Sequence, residues 1–282
     1  MTFATDLLQG LEERFHERRG LRIRLFSGGE GPPLLLVHGY GGSAWNFAEL
    51  AERLPGRRLI IPDLPGHGDS SPLPAAPSLA GFADVLAAIC DEEGITQVDV
   101  VGHSLGGVVA LRLAERRPEL VRRVVLLAAA GISSSTRIGE LLITIAGVIR
   151  PARLAGRRVD WIARSPRLRR SVFGALEVSN PDLLTERQVH GFLRAGPLHQ
   201  DALSAGLALA RDDPRIGLDR VHCPVLVVWG ARDRQVPLDD GFEYARRLGA
   251  PIRVIADCGH LLIGERPDAC ASAIEEFLAA TL

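Results

Sequence analysis

Three apolar or mostly apolar runs that lead into glycine constrain the fold of this chain more than any other feature. They are PLLLVHG at residues 33–39, VDVVGH at 98–103 and PVLVVWG at 224–230. A strand with one solvated face alternates apolar and polar residues, whereas a strand buried on both faces of a parallel sheet is apolar throughout. Helix-compatible segments separate such runs. Repeated strand–helix units predict an α/β fold with a doubly wound, mostly parallel sheet and right-handed crossovers.

The strand–helix alternation stops at residue 132 and resumes near residue 219. Between these points the chain has no strand-like run, only helix-compatible segments such as GELLITIAGVIR and WIARSPRLRRSVF. A chain of 282 residues is long enough for one large α/β domain with an insertion. We therefore predict a core formed by residues 1–131 and 219–282, interrupted by a helical insertion of residues 132–218.

The basic residues exclude several classes of site. All 33 Lys and Arg residues are arginine. A P-loop holds phosphates with a lysine, pyridoxal enzymes form a Schiff base through a lysine, and Ser-x-x-Lys acyl transfer needs one as well. A net charge of −1 gives no overall field that favours nucleic acid or an anionic membrane. We therefore expect neither as a partner, and we expect no cofactor.

The cysteines and the N-terminal sequence predict a cytoplasmic protein. Cys90, Cys223, Cys258 and Cys270 show no paired spacing, as expected of reduced thiols. Residues 1–20 carry acidic residues early and contain no long apolar stretch, which is typical neither of a signal peptide nor of a membrane span.

Ser104 lies in GHSLGG, where a predicted strand must become a helix. Residues 102–106 fit G-x-S-x-G, a pattern in which a serine sits on a strained turn between strand and helix. Small neighbours let the strand and the helix approach each other, and the helix N-terminus favours negative charge beside the serine. The same residues also fit a glycine-rich turn with a capping serine. The motif alone leaves nucleophile and cap as equal alternatives.

A second glycine-rich turn, HGYGGS at residues 38–43, follows another predicted buried strand. Its Tyr40 backbone N–H, together with that of Leu105, is a candidate for an oxyanion hole. Residues 39–44 also fit G-x-G-x-x-A, and Asp63 ends the next strand at the spacing of a dinucleotide-binding fold. The sequence LPGHGDSS after Asp63 and the second strand–helix turn at Ser104 disfavour that alternative.

An acid and a histidine follow the last two predicted strands. Asp233 comes shortly after PVLVVWG, and His260 lies in DCGHLL, after the strand-like run PIRVIAD. The carboxyl ends of parallel strands meet at one edge of the sheet, where ligands bind. The order Ser104, Asp233, His260 is the one expected of nucleophile, acid and base in such a fold. We predict a triad in which His260 takes the serine proton and Asp233 holds the imidazolium.

Over nearly its full length the chain resembles the α/β-hydrolase fold superfamily, and within it serine hydrolases of the carboxylesterase type with a helical cap. The motifs that carry the resemblance are HGYGGS, DLPGHGDSS, GHSLGG, GARDRQVP and DCGHLLIGERPD. The resemblance implies that residues 132–218 form a cap over the active site. It also implies that the substrate is a small-molecule ester with an apolar acyl group and that the enzyme is a monomer or homodimer.

Several other activities share this layout. Haloalkane dehalogenases and epoxide hydrolases resemble it but use aspartate at the position of Ser104, so acyl chemistry is favoured. Carbon–carbon bond hydrolases of ring-cleavage products share the cap and a DCGH-like stretch, but they typically have an aromatic residue where this chain has Leu261. Lactonases, perhydrolases and acyltransferases use the same triad. Some members of the family are ligand receptors or accessory proteins.

Candidate substrate contacts come from the catalytic loops and from the insertion. They are His103, Trp161, Phe173, Phe192 and Leu261. For His103 and for those in the insertion, packing is the alternative interpretation. A helical stripe also faces either the pocket or the core beneath it, formed by Leu141, Leu142, Ile145 and Val148. His190 and His199 have no matching carboxylate pattern, so we predict no metal site.

Overall fold

The computed structural model describes residues 7–18, 20–133, 151–174 and 178–280. Its strands are β1 (Glu12–Arg18), β2 (Leu21–Gly28), β3 (Pro33–Val37), β4 (Arg58–Pro62), β5 (Val98–His103), β6 (Val121–Leu127), β7 (Val225–Gly230) and β8 (Ile252–Ile255). They form an 8-stranded sheet in the order β1-β2-β4-β3-β5-β6-β7-β8. The pairs β1–β2 and β2–β4 are antiparallel and all the others are parallel. The predicted mostly parallel sheet is confirmed.

Helices connect the strands and extend the chain between β6 and β7. Those of the core are α1 (Ala48–Ala51), α2 (Leu79–Glu92), α3 (Leu105–Arg116), α9 (Leu238–Leu248), α10 (Leu262–Glu265) and α11 (Pro267–Ala279). Those between β6 and β7 are α4 (Pro151–Gly156), α5 (Val159–Arg164), α6 (Pro166–Phe173), α7 (Glu186–Leu193) and α8 (Ala202–Arg211). Short 3-10 turns lie at Ala44–Phe47, Pro181–Leu183 and Leu218–Arg220.

The apolar runs of the sequence are the central strands of the sheet. All residues of β5 and of β7 are buried, as expected of strands covered on both faces. β1 was not predicted, because EERFHER carries one buried side chain, His16, among charged residues. A charged edge strand of this kind protects the sheet from pairing with another chain.

The helices between β6 and β7 have an apolar cluster of their own. Its buried members are Ile162, Ala163, Phe173, Val178, Leu184, Val189 and Leu193. The C-terminal end of this region is tied to the core by Arg112 of α3, whose guanidinium pairs with Asp212 and donates to the Ile216 carbonyl at 2.7 Å. The predicted stripe of Leu141, Leu142, Ile145 and Val148 lies outside the described residues. In the part of the chain that the structure describes, no helix is both long and apolar enough to cross a membrane.

Candidate active site

Ser104 joins β5 to α3 in a strained backbone conformation. Its φ is 54° and its ψ is −120°, a region that residues other than glycine rarely adopt. The two flanking glycines explain how this turn is accommodated. A Cβ on Gly102 would overlap the Gly106 carbonyl oxygen, and a Cβ on Gly106 would overlap the Val37 carbonyl oxygen. The turn therefore presents the serine at the carboxyl edge of the sheet, beside the N-terminus of α3.

The structure brings Asp233 and His260 to this serine. Asp233 follows β7 and His260 follows β8, so both come from loops at the same edge of the sheet. The His260 Nε2 lies 3.1 Å from the Ser104 Oγ, and its Nδ1 lies 2.8 Å from the Asp233 Oδ2. Because a carboxylate only accepts, Nδ1 carries the proton and Nε2 accepts from the serine hydroxyl. This chain of contacts can move the hydroxyl proton onto the imidazole.

Backbone donors hold the Asp233 carboxylate in place. Its Oδ1 accepts hydrogen bonds from the N–H groups of Gln235 at 2.9 Å and Val236 at 2.8 Å. The other oxygen, Oδ2, is thereby directed at His260. Both side chains are buried: 0% of the Asp233 side chain and 3% of the His260 side chain is exposed. Burial of this kind strengthens the electrostatic interaction between them.

Two further side chains support the loop that carries His260. The His103 Nε2–H donates to the His260 carbonyl oxygen at 2.9 Å, and burial lowers the pKa of His103 to about 3. His103 therefore stays neutral. The Glu265 carboxylate accepts from the Gly259 N–H at 2.8 Å and from the Ser179 N–H at 2.7 Å. Glu265 thus links the His260 loop to the segment between α6 and α7.

A tight turn after β3 lies against the serine. The Gly42 N–H donates to the Gly39 carbonyl at 3.1 Å, and Gly41 has a φ of +66°, as the third residue of such a turn requires. A Cβ on Gly39 would be 3.0 Å from the Ser104 Cβ. The Tyr40 N–H, at the second position, takes no part in closing the turn. The Leu105 N–H is the first of α3 and has no acceptor within the helix.

The loop after β4 contacts the chain directly after the turn of residues 39–42. The Asp63 carboxylate is fully buried, pairs with Arg24 at 2.6 Å and accepts from the Ala44 N–H at 2.7 Å. The Ser70 hydroxyl donates to the Asp63 carbonyl at 2.8 Å. These contacts leave no carboxylate oxygen facing a ligand, so Asp63 has no access to the ribose of a dinucleotide. Its role is to fix the loop beneath the site.

The predicted pocket residues lie in different environments. Phe192 packs against both the core and the cluster of the insertion, and its ring lies over Gly264, where a Cβ would overlap it. Leu261, next to His260, also packs against the cluster of the insertion. Phe173 is 1% exposed inside that cluster, a position that favours core packing. Trp161 is 63% exposed, which favours a surface position over the wall of an enclosed pocket.

The two histidines of the insertion make different contacts. His190 lies 3.4 Å from the Asp160 carboxylate. His199 has both ring nitrogens within hydrogen-bond distance of backbone groups of the core, a contact that no sequence pattern indicates. Within the described ranges, no group of three or more His, Cys, Asp or Glu side chains lies close enough to hold a metal ion.

Comparison with known proteins points to one family. A family model described as alpha/beta hydrolase fold matches residues 32–267. A pimeloyl-[acyl-carrier protein] methyl ester esterase of Aromatoleum aromaticum is 34% identical over 87% of this chain and 97% of its own length. A 2-hydroxymuconate semialdehyde hydrolase of Pseudomonas putida is 31% identical over 92% of both chains.

Two further similarities differ in how much of the other protein they cover. A dihydrolipoyllysine-residue acetyltransferase component of the acetoin cleaving system of Cupriavidus necator is 30% identical over 88% of this chain, but the chain spans only 64% of that protein's length. Among solved structures, a thermophilic esterase from Thermogutta terrifontis has a TM-score of 0.73 and 26% identity, and the match covers 95% of this chain and 98% of the esterase. By its family match, its relatives and its sheet, the chain belongs to the α/β-hydrolase fold family.

Proposed function

We propose that this protein hydrolyses carboxylic esters through an acyl-enzyme intermediate on Ser104. The observation that carries the proposal is the continuous contact from the serine to a buried carboxylate, with 3.1 Å between Ser104 Oγ and His260 Nε2 and 2.8 Å between His260 Nδ1 and Asp233 Oδ2. A serine on a strained turn, a base in hydrogen-bond reach and an acid that orients the base together form an activated nucleophile.

In the acylation step, Ser104 Oγ attacks the ester carbonyl carbon while His260 Nε2 takes the hydroxyl proton. Asp233 stabilises the resulting imidazolium and keeps its Nδ1–H directed at the carboxylate. The tetrahedral intermediate collapses, the C–O bond to the alcohol breaks, and His260 returns the proton to the leaving alcohol. In the second step, water attacks the acyl carbon while His260 takes a proton from it. The bond between the acyl carbon and Ser104 Oγ then breaks, His260 returns the proton to Oγ, and the acid is released.

The developing oxyanion is held, in this proposal, by the backbone N–H groups of Tyr40 and Leu105. The Tyr40 N–H lies on the turn packed against Ser104, and the Leu105 N–H is at the positive end of the α3 dipole. Removal of one such donor typically costs about 10²–10³ in turnover. Because both donors belong to the backbone, their positions depend on how rigidly the turn and the helix are held.

We also propose that residues 132–218 form a cap over the site and that the substrate is a small ester with an apolar acyl group. The supporting contacts are those of Leu261 and Phe192, which join the loop carrying His260 to the apolar cluster of the insertion. The Aromatoleum aromaticum relative, which is 34% identical, is likewise a methyl ester esterase.

The test is a panel of p-nitrophenyl esters of increasing acyl length, assayed with wild type and Ser104→Ala. We expect turnover on at least one short or medium chain and its loss by several orders of magnitude in the variant. Ser171→Ala, which changes an exposed serine of α6, is the matched control and keeps wild-type turnover. Turnover that survives Ser104→Ala, or no serine-dependent turnover on any ester, refutes the proposal.

A second candidate is hydrolysis of a carbon–carbon bond in a ring-cleavage product. Its support is the 31% identity to the 2-hydroxymuconate semialdehyde hydrolase over 92% of both chains. The same triad serves both reactions, so the site geometry does not separate them. Measurement of kcat/KM on a vinylogous 1,5-diketone beside the best ester does separate them. A value for the diketone equal to or above that for the ester overturns the preference for esters.

A further inference from the structure

We propose that His199, in the segment between α7 and α8, is a positioning residue that holds the oxyanion turn. The inference rests on the proposed function, because it concerns the turn that carries the Tyr40 N–H. The His199 Nε2 lies 2.9 Å from the Gly41 carbonyl oxygen, and its Nδ1 lies 2.8 Å from the Gly68 backbone nitrogen. The ring thus bridges the residue after Tyr40 and the loop after β4, although 131 residues separate it from Gly68.

The chemistry of the partners fixes the protonation of this ring. A carbonyl oxygen only accepts, so Nε2 must donate to Gly41, and a backbone N–H only donates, so Nδ1 must accept from Gly68. His199 is therefore the neutral tautomer with its proton on Nε2. A second proton on Nδ1 would face the Gly68 N–H and break that bond. Burial, the largest effect, lowers the pKa of His199 to about 4, in agreement with this assignment.

Two other histidines lie beside the same turn, and the ring of the first is held neutral by its hydrogen-bond partners as that of His199 is. The His38 Nδ1–H donates to the Gly39 carbonyl at 2.8 Å, and its Nε2 accepts from the Leu64 N–H at 2.9 Å. The His67 ring lies between them, with centroids 5.1 Å from His38 and 5.6 Å from His199. Burial lowers the pKa of His67 well below its ordinary value. The turn therefore packs against a cluster of uncharged rings in edge-to-face contact.

The backbone next to His199 is itself anchored, so the ring acts from a fixed point. The N–H groups of Gln200 and Asp201 both donate to the Gly66 carbonyl at 3.0 Å. The two backbone segments lie so close together here that a Cβ on Gly66 would be 2.6 Å from the Asp201 carbonyl oxygen. Movement of this segment must therefore move His199, and through it Gly41 and the oxyanion turn.

The bond to Gly41 is the one that matters for turnover. The Gly39–Gly42 hydrogen bond closes the turn, but only an external contact fixes how the turn is tilted toward Ser104. If the Gly41 carbonyl loses its donor, the Tyr40 N–H samples positions away from the oxyanion. An oxyanion donor acts mainly in the transition state, so the loss should appear in kcat and leave KM nearly unchanged.

Two conservative variants separate this role from simple packing. The terminal amide of His199→Gln reaches the Nε2 position and keeps a donor for Gly41, whereas that of His199→Asn reaches only the Nδ1 position and keeps the contact with Gly68. We expect His199→Gln to stay within about threefold of wild-type kcat and His199→Asn to lose about 10- to 100-fold, with KM within about twofold in both. His190→Gln and His190→Asn, which alter a histidine paired with Asp160 instead, should match wild type.

Equal kcat values for the two His199 variants, a larger loss in His199→Gln, or a loss confined to KM overturns the inference. Melting temperatures of the variants show whether a loss reflects unfolding. If wild type has no turnover that depends on Ser104, the proposed function fails, and ¹⁵N NMR of the imidazoles then decides whether the bridge exists. The signals of His199 are assigned as those missing from the spectrum of His199→Gln. We expect them to show the Nε2–H tautomer and a pKa near 4. An Nδ1–H tautomer, or a pKa near the ordinary 6.5, overturns the inference independently of activity.

Discussion

Replacement of Asp233 by asparagine tests the assigned protonation of His260. In the structure, Asp233 Oδ1 accepts from the N–H groups of Gln235 and Val236, while Oδ2 faces the His260 Nδ1. In Asp233→Asn the amide oxygen must stay on the two backbone donors, because the opposite orientation would place an NH₂ group against them. The NH₂ group then faces His260 and requires an acceptor at Nδ1. The imidazole is forced into the Nε2–H tautomer, which cannot accept the Ser104 proton.

The expected loss follows from this tautomer change. An acid-to-amide change that reverses the imidazole tautomer lowers kcat by about 10⁴. At 1.36 kcal/mol for each factor of ten, the barrier rises by about 5 kcal/mol. Folding should be affected much less, because the amide keeps the shape of the carboxylate and both backbone hydrogen bonds.

The assay is steady-state kcat on the best p-nitrophenyl ester, with the melting temperature measured in parallel. Asp257→Asn is the matched control, since Asp257 lies on the loop before His260, pairs with Arg232 at the surface and has a φ of 51° that asparagine tolerates. It should keep wild-type kcat. An Asp233→Asn enzyme that folds and stays within about tenfold of wild type would refute the assigned tautomer.

Two other predictions concern stability. Gly106→Ala should lower the free energy of unfolding by about 3 kcal/mol in urea denaturation, since a Cβ there overlaps carbonyl oxygens at the end of β3. In the control Gly81→Ala, the new Cβ would lie nearest to a flexible leucine methyl, so the free energy should change by about 1 kcal/mol or less. Equal effects of the two substitutions would contradict the close approach at Gly106. Burial lowers three pKa values from 6.5, to about 4 for His38 and His199 and to about 3 for His103. Between pH 6.5 and those values the unfolded chain binds protons that the folded chain does not, so stability present at neutral pH is lost on acidification. These three groups lower the free energy of unfolding by about 4 kcal/mol between pH 7.5 and pH 5.5, and His67, whose pKa burial also lowers, adds to the loss. A drop below about 1 kcal/mol would contradict the burial of neutral histidines.

The features that the sequence predicted are those set by local pattern. Apolar runs identified β3 and β7, and a mostly apolar run identified β5, because a strand buried on both faces has no solvated polar face. The end of each strand then placed Ser104, Asp233 and His260 at one edge of the sheet. Topology alone brings these positions together, so their proximity could be expected before any side-chain geometry was known.

The features that the sequence did not predict depend on contacts between distant segments. β1 has no apolar alternation, since its charged side chains face solvent at the sheet edge. The bridge made by His199 joins residues that only the folded chain brings together, and a lone histidine in a helical insertion carries no signal of its partner. The exposure of Trp161 was likewise not predictable, because aromatic residues at helical spacing fit a core, a pocket or a surface equally well.

The most direct test of the central claim is covalent labelling of the proposed nucleophile. A fluorophosphonate reacts with an activated serine and leaves a stable adduct that peptide mass spectrometry assigns to one residue. We predict a single adduct on Ser104, no labelling of Ser104→Ala, and labelling of His260→Gln slower by orders of magnitude because the base is lost. An adduct on another residue, or equal labelling rates in wild type and His260→Gln, would contradict the account.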